Sequence, residues 1–345
     1  MFCKGTALKS GQPPAAITTT GWPPPTWLPV GLADRAVAWA DMGTAPLREP
    51  FFADSVQRRR HAQDGRAAAH RMTLDEFLAG AAHAESLTPD GFIFHMSRCG
   101  STLVAQMLAA VSRHIVISEA PPLDAIVQLH RSIPALPGDR HVALLRAMVA
   151  ALGRRRNGDE KHFVIKLDCW HSLALPLFQR AFPSVPWVFV YRDPVDVLVS
   201  HLRQPGTQMV SAIVPAALYG LDDADARPGA DYYARVLNRI CAAALAHHGD
   251  GGLIVNYRDL PGAVASRILP HFGMTCSPGE LALMTEAAHY NAKSPSVAFA
   301  GDHAAKQREA TPQLRALAET HLGDTCRQLD RLAGHMSDHL SDHLA

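Results

Sequence analysis

From residue 91 onward the chain alternates two kinds of apolar pattern. Short, nearly continuous apolar runs fall at 92–96, 114–118, 162–167, 186–191 and 252–257. Runs of that length with almost no alternation are the pattern of strands buried on both faces. Between them, apolar positions recur every three or four residues over 102–111, 122–131, 139–153, 172–181, 194–203 and 231–248. The same helical period continues over 259–272, 279–288 and 312–334. Strand, helix, strand in this order predicts an α/β domain: a parallel sheet flanked by helices and joined by right-handed crossovers.

The first ~90 residues follow another pattern. Pro13, Pro14, Pro23, Pro24, Pro25 and Pro29 make the start proline-rich, and Gly21 to Trp27 reads as an extended, polyproline-like arm. Such an arm either packs its tryptophans onto the body or serves as a ligand for an SH3-type domain; packing is the expected outcome. Residues 34–40 and 73–84 are expected to be short helices. Thr73 with Glu76 three positions later forms a capping-box signature for the second. The organisation that follows is an N-terminal extension over 1–90, a domain over 91–334 and a histidine-rich tail over 335–345.

Composition narrows the partners. The chain has 345 residues, 48% of them hydrophobic and 19% charged, with 33 Lys plus Arg against 32 Asp plus Glu. A net charge of +1 carries no global footprint for nucleic acid or an anionic membrane, so any anion site must be a local concentration of donors. No run of ~18 apolar residues is present to span a bilayer, and no secretory leader is visible. Six scattered cysteines without a CxxC pair argue against a disulfide framework or a zinc ribbon. A cytoplasmic location is the simplest expectation.

The most informative segment runs from Phe92 to Leu103, where an apolar strand enters the loop Ser97-Arg98-Cys99-Gly100-Ser101 and a helix begins near Thr102. Backbone N–H groups and the helix dipole then point at one spot, which suits phosphate or sulfate. Ser101 and Thr102 add hydroxyls, and Arg98 adds a guanidinium fork. The lysine that follows the second glycine of a Walker A loop is absent, which removes the main support for an ATP- or GTP-dependent kinase. A second strand-to-helix junction, Tyr191-Arg192-Asp193-Pro194, places Asp193 as N-cap and Pro194 at the first helical position. Arg192 then sits at a strand's carboxyl end, where open α/β sheets bind ligands, and Ser200 lies eight residues on.

With these two junctions the chain resembles the sulfotransferases that use 3′-phosphoadenosine 5′-phosphosulfate (PAPS). Arg98-Cys99-Gly100-Ser101-Thr102 matches the family's 5′-phosphosulfate loop, and Arg192-Asp193-Pro194 with Ser200 matches its 3′-phosphate motif, in the family's order. The resemblance covers about residues 91–310 and is closest in spacing to the protein-tyrosine type. It implies a P-loop NTPase-like sheet and sulfuryl transfer from PAPS to an acceptor hydroxyl, with no metal required. It implies that Arg98, Cys99, Gly100, Ser101 and Thr102 hold the 5′ end, and Arg192 and Ser200 the 3′-phosphate. By the same resemblance Glu119, 21 residues after Arg98, is the general base, and Lys166 stabilises the bridging oxygen beside Arg98. Lys166 also stands out by itself, because a lysine inside an apolar strand is costly to bury without an anion. Lys293, Ser294 and Lys306 fall where the family lays a loop over the nucleotide. Tyr257-Arg258-Asp259-Leu260 resembles a structural segment after the last strand.

The remaining signals are weaker. Asp168 could imitate a Walker B carboxylate but has no Walker A partner. His95 is expected to be a core histidine, and His201 to approach the nucleotide or fill space. Cys99, at a helix N-terminus, is a thiol whose pKa can fall. Arg58 to Arg60 and Arg154 to Arg156 read as solvated basic runs. His335, His339 and His343 share a helical face and suggest adventitious metal binding by a frayed tail. A non-catalytic nucleotide- or partner-binding protein on the same fold is the other reading. The acceptor is a hydroxyl compound whose class the residues do not name.

Overall fold

The computed structural model describes residues 21–62, 69–222, 224, 226–249, 251–292, 294–298 and 302–335. Its centre is a five-stranded, all-parallel sheet in the order β5-β6-β4-β7-β8. The strands are β4 (Gly91–His95), β5 (His114–Ser118), β6 (His162–Lys166), β7 (Trp187–Tyr191) and β8 (Gly252–Asn256). Every residue of β4, β5 and β7 is buried, as the unbroken apolar runs require. All five strands lie where the apolar runs place them, so the expected α/β architecture holds.

Helices flank the sheet: α3 (Ser101–Ala109), α4 (Pro121–Val127), α5 (Leu129–Ser132), α6 (Gly138–Leu152), α7 (Leu175–Ala181), α8 (Pro194–Arg203) and α9 (Ala230–Ala246). Three more follow β8: α11 (Pro278–Ala287), α12 (His303–Glu309) and α13 (Pro312–Ala333), after a broken helical stretch that ends in α10 (Leu269–His271). A two-stranded pair, β9 (Tyr290–Asn291) and β10 (Ser294–Ala298), lies between α11 and α12. The sequence pattern signals neither α12 nor this pair. Among the described residues no helix is long and apolar enough to cross a membrane.

The N-terminal region differs from its expectation. It forms a three-stranded antiparallel sheet of β1 (Trp27–Ala33), β2 (Ala36–Asp41) and β3 (Ala69–Thr73), with α1 (Phe52–Ala62) and α2 (Leu74–Ala81). The stretch 34–40 is therefore not a helix. Asp34 and Arg35 both take positive φ (51° and 56°) and make the two-residue turn of a hairpin. Ala-rich β2 has good helix propensity, but it pairs on both sides and buries Val37 and Trp39 on one face. Tertiary pairing outweighs a propensity worth tenths of a kcal/mol per residue. The capping box of α2 is present: Thr73 accepts from the Glu76 N–H, and Glu76 accepts from the Thr73 N–H at 2.7 Å.

The arm packs as expected. The Trp22 indole N–H donates to the Phe77 carbonyl at 2.8 Å, and its ring stacks on Phe77. Trp39 closes the cluster 5.6 Å from Trp22. A methyl group on Gly80 would strike Trp22 at 2.3 Å, so this glycine is a seat for the indole. Pro13 and Pro14 lie outside the described residues. The basic run at 154–156 is not a solvated face. Arg154 and Arg156 are buried, and they donate to the carbonyls of Pro24 (3.2 Å) and Gly43 (2.9 Å). Their charge was visible in the sequence; the carbonyls waiting for them were not.

Candidate active site

Each strand of the central sheet delivers a residue at its carboxyl end to one cavity of about 650 Å³. After β4 come Ser97 to Thr102; after β5, Glu119; after β6, Asp168; after β7, Arg192; after β8, Tyr257. This is the crevice in which open α/β sheets place ligands. Phe51, from the N-terminal region, also lines it.

The loop after β4 is curled by its backbone. Ser97, Arg98 and Gly100 have φ of 93°, 50° and 88°. A non-glycine residue pays to sit there, so two in succession mark a loop held by its surroundings. Gly100 is required twice over: its φ is left-handed, and a Cβ would lie 2.7 Å from the Tyr257 ring. The curl leads directly into α3, whose first N–H groups have no intrahelical partner. Ser97 is braced by the Gln208 amide at 2.5 Å and by His201 at 3.3 Å, so His201 supports the loop. Arg98 donates to the Gln204 carbonyl at 3.0 Å and lines the cavity. Cys99 contradicts its expectation. Its thiol is buried, donates to the Val190 carbonyl, and is pushed up by burial. Exclusion from water outweighs the helix terminus.

Glu119 and Lys166 meet as an ion pair. Their strands are in register, and the Glu119 N–H donates to the Lys166 carbonyl at 2.8 Å. Lys166 is 1% exposed, and its ammonium also lies over the Phe51 ring at 5.4 Å. The lysine that looked too costly to bury has a carboxylate partner. Burial alone would raise the Glu119 carboxyl, but the Lys166 charge and the His95 hydrogen bond outweigh it and hold the group well below the usual carboxylate range.

His95 sits under this pair. Its Nδ1 accepts from the Ser97 N–H at 3.1 Å, so Nε2 carries the proton and faces the Leu167 carbonyl (3.0 Å) and Glu119 (3.4 Å). Burial, with the Lys166 charge, pushes it down to about 4, so it is neutral at pH 7. Asp168 lies two residues past Lys166, 8% exposed, with His171 as its ion-pair neighbour at 3.9 Å. Burial pushes its carboxyl up to about 7, against the pull of His171. His171 is instead held by Asp124 at 2.8 Å, which also accepts from the Trp170 indole.

The corner after β7 is built from side chains. Arg192 makes two hydrogen bonds to Asp196 (2.9 and 2.7 Å) and one to Asp302 (2.7 Å), and its guanidinium lies 4.2 Å over the Tyr257 ring. Asp193 caps α8 by accepting from the N–H groups of Val195 and Asp196. Ser200 lines the cavity and donates back to the Asp196 carbonyl. Lys306, from α12, reaches Asp302 at 2.6 Å. Burial lowers the Arg192 pKa, but the hydrogen bonds it donates to Asp302 and Asp196 carry it above its ordinary value.

The structure thus brings Arg98, Gly100, Ser101, Thr102, Glu119, Arg192, Ser200 and Lys306 to one cavity, and joins Lys166 to it through Glu119. Cys99 lines the wall while its thiol faces the core. Lys293 lies outside the described residues, and only the backbone of Ser294 is described, in β10. Of the tail histidines, His335 pairs with Asp259 at 2.9 Å, and His339 and His343 lie outside the described residues. Sequence reasoning missed three participants. Tyr257, whose segment resembles a structural one, lies against both corners, beside Gly100 and under Arg192. Asp302 and Gln208 come from segments with no motif.

The chain was compared with known proteins. A profile described as the sulfotransferase family matches residues 89–278, more than half the chain. No curated protein matches. Among solved structures, a sulfotransferase from Mycobacterium tuberculosis H37Rv is 17% identical over 68% of this chain and 81% of its own, with a TM-score of 0.36. The sulfotransferase domain from the curacin biosynthetic pathway is 16% identical over 73% of this chain and 100% of its own, at 0.41. Retinol dehydratase, solved with androsterone and the inactive cofactor PAP, is 18% identical over 76% of this chain and 87% of its own, at 0.39.

Proposed function

Because the chain belongs to the sulfotransferase family, we propose that it moves a sulfuryl group from PAPS to the hydroxyl of an acceptor. One observation carries this reading. The two strand-to-helix corners that suit the two ends of PAPS open into the same cavity, with the Glu119–Lys166 pair beside it. The basic residues Arg98, Arg192 and Lys306 line the wall on which the nucleotide would lie. Arg192 and Lys306 already grip a carboxylate, which supports an anionic ligand at this corner.

In this mechanism the acceptor oxygen attacks sulfur in line with the bridging oxygen. A new S–O bond forms, the old one breaks, and charge moves onto the 5′-phosphate. The curled loop at 97–102 and Arg98 stabilise that charge where it develops. Lys166 leaves Glu119 for the bridging oxygen, and Glu119, released from its partner, takes the acceptor proton. His95, neutral, holds the carboxylate in place. Tyr257 fixes Arg192 and keeps Gly100 close. A second reading gives the base role to Asp168, which lines the same cavity 3.9 Å from His171. The acceptor is any hydroxyl compound that reaches this wall.

The test is a thermal-shift titration with 3′-phosphoadenosine 5′-phosphate (PAP), beside ADP with and without Mg²⁺. A ligand at ~100 Kd adds about 2.7 kcal/mol to the folded state. The reading expects stabilisation by PAP without metal, lost in Arg192→Ala. Stabilisation by ADP and Mg²⁺ alone would move the chain to the kinase class.

A further inference from the structure

The cations that suit a 3′-phosphate are not idle. Arg192 donates to Asp302 at 2.7 Å, and Lys306 reaches the other oxygen of the same carboxylate at 2.6 Å. Both basic side chains are buried, at 6% exposure each, whereas Asp302 is 44% exposed. The geometry has one acid at the mouth of the site and two cations at its floor. Asp196 does not compete for this role: it is 1% exposed, holds the far edge of Arg192, and receives His303 and Gln307 as well. Asp196 is part of the frame; Asp302 faces the opening.

We infer that Asp302 is an internal competitor for the nucleotide's 3′-phosphate, seated between Arg192 and Lys306 until PAPS displaces it, and returning to that seat as the product nucleotide leaves. This rests on the donor reading above. The chemistry favours such an exchange. A phosphate dianion offers more charge and more acceptor oxygens to the same two cations than a single carboxylate does, so it wins the seat. The carboxylate, tethered one turn from Lys306, is always at hand when the dianion lets go. Displacement subtracts the Asp302 contacts from the binding energy of every 3′-phosphorylated nucleotide. It subtracts nothing from a nucleotide without that group, which leaves Asp302 where it is. Asp302 therefore weakens product retention, and product release limits turnover in many transferases of this kind of enclosed site.

The experiment is isothermal titration of the full chain and its Asp302→Ala and Asp302→Asn variants with PAP and with AMP, plus stopped-flow PAP dissociation. The expected result is PAP affinity about tenfold higher in Asp302→Ala, with a smaller gain in Asp302→Asn, whose amide oxygen still accepts from Arg192. AMP affinity stays within about twofold, and PAP dissociation slows in step. Unchanged or weaker PAP binding in both variants, with each melting like the parent, overturns the inference and makes Asp302 a strut of α12. If Asp302→Ala fails to fold, the Asparagine variant decides alone. If PAP binds neither the parent nor the variants, the donor reading itself falls, an outcome distinct from PAP binding that Arg192→Ala abolishes and Asp302 substitution leaves untouched.

Discussion

Two corners of one sheet are built by different means. After β4 the work is done by backbone: three positive φ angles, a glycine pressed against Tyr257, and Ser97 braced by Gln208. After β7 it is done by side chains: Arg192 fixed by Asp196, floored by Tyr257 and closed by Asp302. The first corner is rigid and open, because amides cannot neutralise themselves. The second is charged and already satisfied, because a buried guanidinium without a partner costs several kcal/mol. On the proposed reading the first corner is preorganised for its ligand, and in the second Asp302 stands in the ligand's place.

The sharpest way to break this contrast is at Gly100. Gly100→Ala forces Cβ into Tyr257 and strains the left-handed turn, so PAP affinity should fall by two orders of magnitude or more by titration. Tyr257 touches both corners, so a paired Tyr257→Ala would relieve one clash, leave the strained φ, and take the ring away from Arg192. Next, Arg192→Lys keeps the charge and loses the fork. PAP binding should weaken about tenfold to a hundredfold, with AMP binding little changed. Glu119→Gln comes third: turnover should drop at least about a hundredfold while PAP binding holds, since the amide cannot take the proton. If turnover instead survives and tracks a group titrating near neutrality, Asp168 is the base.

Asp168 gives a smaller effect with a defined sign. Its folded pKa is raised to about 7, so folding takes up a proton between the unfolded carboxylate range and neutrality. Its contribution to stability is fully favourable below that window and declines as pH rises through it. Asp168→Asn should therefore raise Tm at about pH 8 relative to the parent and give little change at about pH 4. The smallest expected effect lies far from both corners. Thr73→Ala removes the α2 cap and should cost about 1 kcal/mol in chemical denaturation, leaving PAP binding intact.

The central sheet and the first corner were legible because strand–loop–helix geometry is written in contiguous residues. Phe92 to Thr102 carries its own periodicity and its own glycine. Arg192 and Ser200 were legible for the same reason, one junction along. Their partners were not: Asp302 immediately precedes α12, 110 residues beyond Arg192, and no local pattern announces that a carboxylate will close a distant fork. Lys166 was half legible. An apolar strand advertised the need for an anion, but Glu119 was chosen from a resemblance in spacing, and only the strand register brings the two together. Residues 34–40 misled because alanine favours a helix wherever nothing pairs with it, and here β1 and β3 both do.

The buried arginines of the run after α6 also set where the gene can be cut. The family match begins at residue 89, which invites a shortened expression product starting there. Such a fragment would lose the Pro24 carbonyl from Arg154, the Gly43 carbonyl from Arg156 and the Phe51 ring from Lys166. Two guanidiniums would lose their carbonyl partners, and Lys166 would gain an open flank. The matched segment alone is therefore expected to melt below a chain that keeps Trp22 onward, which thermal denaturation of the two checks.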